Sequence, residues 1–404
     1  MDRVAIITKY FPVHFIVVFT VLALISNSLI KNKKYKIAGH IVYGLVFVSV
    51  FGGIGFAGLV IAMTVFTYAV AKLIERASET RTKKLLLLAG IIIPIAFLLI
   101  LKQAYVDKIM SSFGIKYAIG ISYFIFKFIH VAVDTYRGLI TDVSFINICA
   151  LIFFYPTFTA GPIERYNHFI NSAVSEAVNK DDVEEGTRRI IYGLFKKFIL
   201  ADKIYLAISA ANIAALENRL IIVYYLYLLS LKIYFDFSGY TDIAIGLSRF
   251  FGIKVFENFD RPYSKRNIVQ FWQSWHMTLT GWLRDYVFLP VAKKLVVLNK
   301  NKYPLINNAF AQIVTMSIVG LWHGITLNFF LWGLYHGIGL SLYRVIADKS
   351  RKRFSEATLK WLDESNVWKA VSIFITFNYV AIGWVFFTYD ISTAMKIITK
   401  LFVI

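Results

Sequence analysis

From Ile54 to Ala71 the chain carries no charged residue, and the run ends only at Lys72. An apolar stretch of about 18 residues is long enough for a helix to cross a bilayer. Inside lipid every backbone polar group must be satisfied within the protein, which leaves helices or closed barrels as the possible folds. Phe11–Ile30, Leu85–Leu101, Leu220–Phe235 and Val367–Thr388 have the same character. A removable leader or a lone anchor does not explain so many runs. The composition agrees: 58% of the residues are hydrophobic, against about 45–50% in soluble domains. The chain therefore reads as an all-α polytopic membrane protein whose main partner is the lipid bilayer.

The formal net charge of +20 could suggest nucleic acid, but the position of the charges argues otherwise. Lys31, Lys33, Lys34 and Lys36 follow the first apolar run, and Arg76, Arg81, Lys83 and Lys84 follow the third. Lys349, Arg351, Lys352 and Arg353 form another cluster. Short basic loops stay on the cytoplasmic side, and two spans separate the first two clusters. The pattern encodes topology, with the N-terminus outside, and nucleic acid is not an expected partner. The single cysteine, Cys149, lies in an apolar stretch. It can form neither an internal disulfide nor a cysteine-rich metal site, and reads as a small core residue.

Residues 1–110 read as peripheral membrane helices over 11–30, 37–51, 54–73 and 85–106, with a tight turn at Gly52-Gly53 and a kink at Pro94. Beyond residue 117 the apolar segments 117–136, 143–155, 188–211 and 220–235 carry Lys127, Asp134, Arg137, Lys196, Lys197, Asp202, Lys203, Lys232 and Asp236. Ionisable groups inside a bilayer are costly and usually face a bundle interior or a wet cavity. Lys196 and Lys197 read instead as side chains reaching the interface. The polar stretches near 163–187 and 252–270 are too short to fold separately, so residues 1–404 read as one membrane domain with its working core in 117–404. About eleven spanning helices are expected at this length and hydropathy, together with re-entrant or interfacial helices.

Residues 258–290, NFDRPYSKRNIVQFWQSWHMTLTGWLRDYVFLP, are too polar and too aromatic for a lipid-facing span. Trp272, Trp275 and Trp282 favour the membrane–water boundary, and His276, Arg284 and Asp285 lie among them. Residues 320–337, GLWHGITLNFFLWGLYHG, place His323 directly after Trp322 in a glycine-rich apolar helix. Small residues let helices approach closely, so this histidine belongs inside the bundle. A neutral imidazole is the common general base near neutral pH. The pair could equally be hydrogen-bonded core histidines, or metal ligands, although no Cys or Asp/Glu pattern completes a metal site. His336, thirteen residues further on, is a weaker candidate on what reads as the same helix. Neither a Gly-x-Ser-x-Gly elbow nor a phosphate-binding loop occurs, which points to direct transfer without a covalent intermediate. A transporter or a non-catalytic scaffold of an envelope-modifying complex are the alternatives; paired broken helices, the usual mark of a transporter, are not visible.

Four motifs in order, FYPTFTAGPIERY (154–166), DFSGYTDIAIGLSRFFG (236–252), FWQSWHMTLTGWLRDYVFLP (271–290) and GLWHG (320–324), resemble the membrane-bound O-acyltransferase superfamily. The likeness runs from about Gly120 to the C-terminus and has features of two bacterial branches, polysaccharide (alginate) O-acetylation and teichoic-acid D-alanyl transfer. The resemblance implies a ring of helices around a central tunnel. It makes His323 the essential histidine and His276 its second. Trp275, Trp322, Arg284 and Asp285 are substrate-side candidates, with a helix-end pair the plainer reading of Arg284 and Asp285. It further implies no tightly bound cofactor. The donor would be an acyl thioester on coenzyme A or on a pantetheine-bearing carrier protein at the cytoplasmic mouth. The acceptor would be a cell-surface polymer, or an extracytoplasmic transfer partner, outside a bacterial cytoplasmic membrane.

Overall fold

The computed structural model describes residues 18, 20–22, 24, 25, 30, 33–102, 120–175, 178–211 and 213–402. Most of the expected first span, 11–30, lies outside them, as do the end of 85–106 and the start of 117–136. Among the described residues the chain is helical throughout; the one extended pairing is an isolated antiparallel bridge between Phe259 and Trp275. Among the described residues six helices are long and apolar enough to cross a membrane. The described residues form two compact units, Met1–Gly193 with Tyr240–Phe256, and Leu194–Gly239 with Glu257–Ile404.

The first unit opens with α1 (Lys33–Gly52), α2 (Ile54–Arg76) and α3 (Thr80–Lys102). The expected turn at Gly52-Gly53 is present: Gly53 has φ 91°, a conformation that only glycine adopts cheaply. It reverses the chain, so the basic clusters at Lys33 and Arg76 fall at the same end of one hairpin. The helix α3 continues through Pro94. α4 (Ile121–Tyr136) is buried on all sides from Phe124 to Thr135, which makes it the centre of this unit. Its Lys127 is 2% exposed and donates to the Leu151 carbonyl at 2.9 Å and to Thr157 Oγ1 at 3.2 Å. α5 (Phe145–Ile152) buries Cys149 as expected. α6 (Tyr166–Ser175) and α7 (Lys180–Leu194) complete the unit with residues 240–256. Two ion pairs tie α7 to this last segment, Arg189 to Asp242 at 2.6 Å and Arg249 to Asp182 at 2.9 Å.

In the second unit a π-helical turn, Phe195–Ala201, leads into α8 (Asp202–Ser209). α9 (Arg219–Phe250), of which residues 219–239 belong to this unit, is longer than expected. The apolar span read as 220–235 does not stop at Asp236, because that carboxylate is neutralised in place. Lys197 forms a short ion pair with one of its oxygens, and Lys232 approaches the other at 3.3 Å. This corrects the reading of Lys197 as an interfacial side chain: it is 3% exposed and is held by a residue 39 positions away. Short helices α10 (Ile268–Trp272) and α11 (Met277–Leu283), a π-helical turn over Arg284–Phe288, and α12 (Leu289–Asn299) follow. Then come α13 (Pro304–His323), α14 (Leu327–Arg353), α15 (Glu356–Glu364), α16 (Asn366–Thr388) and α17 (Ile391–Phe402).

α13 and α14 form a hairpin packed backbone against backbone. A Cβ on Gly320 would lie 2.2 Å from the Phe329 carbonyl oxygen, and one on Gly333 would lie 2.2 Å from that of Met316. Removing those methyl groups is what permits the approach. α14 is also joined to α16 by a reciprocal pair: Tyr335 Oη donates to the Tyr379 carbonyl at 2.9 Å, and Tyr379 Oη to the Tyr335 carbonyl at 2.5 Å.

Candidate active site

His276 stands between α10 and α11 with φ 43° and ψ 54°, a left-handed conformation that costs a residue with a Cβ on the order of 1–3 kcal/mol and persists only where the surroundings impose it. Asn258 imposes it. The Asn258 carbonyl accepts from Met277 N–H at 2.9 Å. Its side-chain Oδ1 accepts from Thr278 N–H at 3.2 Å and from Thr278 Oγ1–H at 2.8 Å. The same Oδ1 lies 3.0 Å from His276 Nδ1. A backbone N–H can only donate, so the shared Asn258 atom is the oxygen, and Nδ1 must bring the proton. The ring is thereby fixed as the tautomer with a lone pair on Nε2. His276 lies outside the six apolar spans and is 3% exposed. Burial pushes its imidazole down to about 3, so it is neutral at physiological pH.

His323 is the last residue of α13, and the backbone leaves the helix at Gly324, with φ −173° and ψ 143°. It is therefore at the tip of the hairpin rather than within a continuous helix, because residues 324–326 are non-helical before α14 begins. A Cβ on Gly324 would meet the Phe329 ring at 2.5 Å; without it that ring stacks near His323 at 6.0 Å. Trp322, Trp332 and Phe387 approach the half-buried imidazole at 4.6, 5.3 and 4.9 Å between ring centroids. The same break separates His336 from His323. His336 is in α14 and fully buried, which corrects the reading of one shared helix.

A continuous lattice of ring contacts in the second unit includes both histidines. His276 meets Phe237 edge-on at 4.7 Å, and Phe237 meets Trp275 at 6.5 Å. Trp275 meets Trp384 at 5.0 Å, and Trp384 stacks on Trp332 at 6.0 Å. Trp332 stands edge-on to His323. Among the expected site residues, Trp275 is thus buried in the lattice and Trp322 flanks His323. Arg284 is exposed and pairs with its neighbour Asp285 at 3.0 Å in a π-helical turn that joins α11 to α12, within a continuous helical run rather than at the expected helix end. Sequence reasoning missed Asn258, Phe237, Trp332 and Trp384.

The arrangement supplies one neutral imidazole of fixed tautomer and a second imidazole on a helix end, both walled by aromatic rings. That suits proton transfer to and from a hydroxyl in a dry setting. Among the described residues no group of His, Cys, Asp and Glu is placed to hold a metal ion.

Comparisons with known proteins agree with this chemistry. The profile described as "MBOAT, membrane-bound O-acyltransferase family" matches residues 42–389. The chain is 30% identical to the probable alginate O-acetylase AlgI of Pseudomonas putida, covering 92% of this chain and 75% of the relative. It is 33% identical to the teichoic acid D-alanyltransferase of Streptococcus thermophilus, over 67% of this chain and 68% of the relative. It is 27% identical to the peptidoglycan O-acetyltransferase of Helicobacter pylori, over 97% of this chain and 77% of the relative. A family match over most of the chain, on a helical membrane fold, identifies this protein as an O-acyltransferase of the membrane-bound O-acyltransferase family.

Proposed function

We propose that the protein moves an acetyl or D-alanyl group from a cytoplasmic thioester, on coenzyme A or a pantetheine-bearing carrier protein, to hydroxyls of a cell-surface polymer outside a bacterial cytoplasmic membrane. The observation that carries the reading is the presence, in one aromatic lattice, of His323 on a helix end and of His276 with its tautomer fixed. The names of the relatives support the acceptor class, since they are an alginate O-acetylase, a teichoic acid D-alanyltransferase and a peptidoglycan O-acetyltransferase.

His323 acts as general base. It takes the hydroxyl proton as the hydroxyl oxygen attacks the thioester carbonyl carbon. The C–S bond then breaks, and the leaving thiolate takes the proton back from the imidazolium. No bond to the enzyme forms. His276 presents a lone pair at Nε2, which can accept from an acceptor hydroxyl and cannot donate to a thioester carbonyl. It therefore orients the acceptor. Trp275 and Trp322 keep water from the two rings, and a dry site strengthens each polar contact in it.

The test is the ester content of cell-surface polymer in a deletion strain complemented with wild type or with His323→Ala. Esters are released with mild base, and acetate is separated from D-alanine. Wild type should restore one of the two. His323→Ala should leave it at least 100-fold lower with protein still in the membrane, in line with the roughly 10²–10⁴-fold worth of a general base. Equal restoration by the variant would sink the catalytic reading and leave the scaffold reading in its place.

A further inference from the structure

One ring beyond His323 lies a group of buried polar side chains that the mechanism above does not use. Among the described residues His336 has a hydrogen-bond partner at neither Nδ1 nor Nε2, and the indole N–H groups of Trp272 and Trp332 are also unpaired. The three rings pack against one another: Trp272 with Trp332 at 5.8 Å, Trp272 with His336 at 5.2 Å, and Trp332 with His336 at 5.1 Å. All three are at most 6% exposed. Trp384, in the same lattice, shows that an indole here can be satisfied, since it donates to Tyr263 Oη at 3.0 Å. Buried polar groups are paired in the great majority of native structures, and an exception calls for an unseen partner.

The inventory of atoms restricts that partner. Two indoles can only donate, and a neutral imidazole brings one donor and one acceptor. The donors call for an oxygen that accepts, such as a carbonyl, and the imidazole's other nitrogen for a donor such as an amide N–H. Trp332 and His336 are four residues apart on one face of α14, and Trp272 closes α10 against them. Gly383 lets α16 pack against the imidazole, since a Cβ there would sit 2.7 Å from His336 Nε2. Because Trp332 also stands edge-on to His323 at 5.3 Å, a carbonyl held by this group is next to the proposed base.

We propose that Trp272, Trp332 and His336 form the polar seat for a carbonyl oxygen of the donor arm, either its thioester or one of its pantetheine amides. They are positioning residues, and the inference rests on the acyl-transfer reading. The seat holds the arm in its ground state, so its loss weakens donor binding.

Equilibrium binding of S-[14C]acetyl-pantetheine to the full-length protein in nanodiscs tests this. His336→Phe and the double variant Trp272→Phe/Trp332→Phe keep an aromatic ring at each position but remove the polar atoms, and each should weaken binding at least tenfold. His336→Gln restores a donor and an acceptor and should bind within about threefold of wild type. Unacylated pantetheine separates the sources: an equal loss for it assigns the amides, and an unchanged affinity assigns the thioester. For a seated thioester, infrared spectra of wild type with carbonyl-13C probe should show the stretch lowered on binding, which keeps the test available if a variant fails to fold. Wild-type affinity in both His336→Phe and the double variant, or no binding by wild type, overturns the seat; the first result would mark the group as hydrated or merely packed. Loss of surface ester in His323→Ala is scored separately, so a failed seat and a failed acyltransferase reading give different results.

Discussion

A side chain 18 positions upstream decides which nitrogen of His276 carries the proton. Asn258 is neutral, so it fixes the tautomer without adding charge beside a buried imidazole. Asn258→Asp would keep the acceptor and place a carboxylate at the same atom, favouring the imidazolium and raising the pKa of the ring. Wild-type activity should therefore show no loss from His276 protonation down to pH 5, because burial holds the ring near 3. The variant should lose activity as pH falls through a new inflection nearer neutrality, since the proton then occupies the lone pair that orients the acceptor. A pH–rate profile of both proteins decides it; coincident profiles would remove His276 from the mechanism. His276 and His323 were legible in the sequence because each stands in a tight aromatic motif. Asn258 as the partner of His276, Lys197 as the partner of Asp236 and His336 as a buried unpaired ring were not. Each depends on a neighbour brought close only by folding, and no period or spacing encodes that.

At the scale of elements, the hairpin of α13 and α14 is fixed by what its glycines lack. A Gly333→Ala change would put a methyl group 2.2 Å from a backbone oxygen, and backbone has no rotamer with which to yield. Overpacking of this kind typically costs about 1–3 kcal/mol. Gly58→Ala is the matched control: it is also helical, with nothing within 4 Å of the added carbon. Thermal unfolding of detergent-solubilised protein, followed by size exclusion, should show a clear loss for the first and none for the second. Equal behaviour would mean that the helices can separate freely. The hydropathy pattern reads 320–337 as one helix and misses both the hairpin and its break at 324–326, since Gly-Ile-Thr is as compatible with a membrane helix as with a turn. The extension of α9 past Asp236 was hidden for the converse reason: a lone acidic residue reads as an end until its two lysines are seen.

For the whole molecule, the alternation of spans and basic clusters makes a topology that chemistry can check. Cys149 is buried, so the wild-type protein should resist a membrane-impermeant maleimide in intact cells and in permeabilised ones, and react only on denaturation. Against that silent background, a cysteine at Ser78, between α2 and α3, should label only after permeabilisation, as the positive-inside rule requires. Labelling of intact cells at Ser78 would invert the assigned orientation and put the donor on the wrong side. The tyrosines that bond across α14 and α16 bear on how such a protein can open. Each fastens its hydroxyl to the other's main chain, so the two helices are bolted at one level and cannot slide past each other there. Breathing that admits a long substrate must therefore spare this seam, and its amides should be among the last to exchange with deuterium.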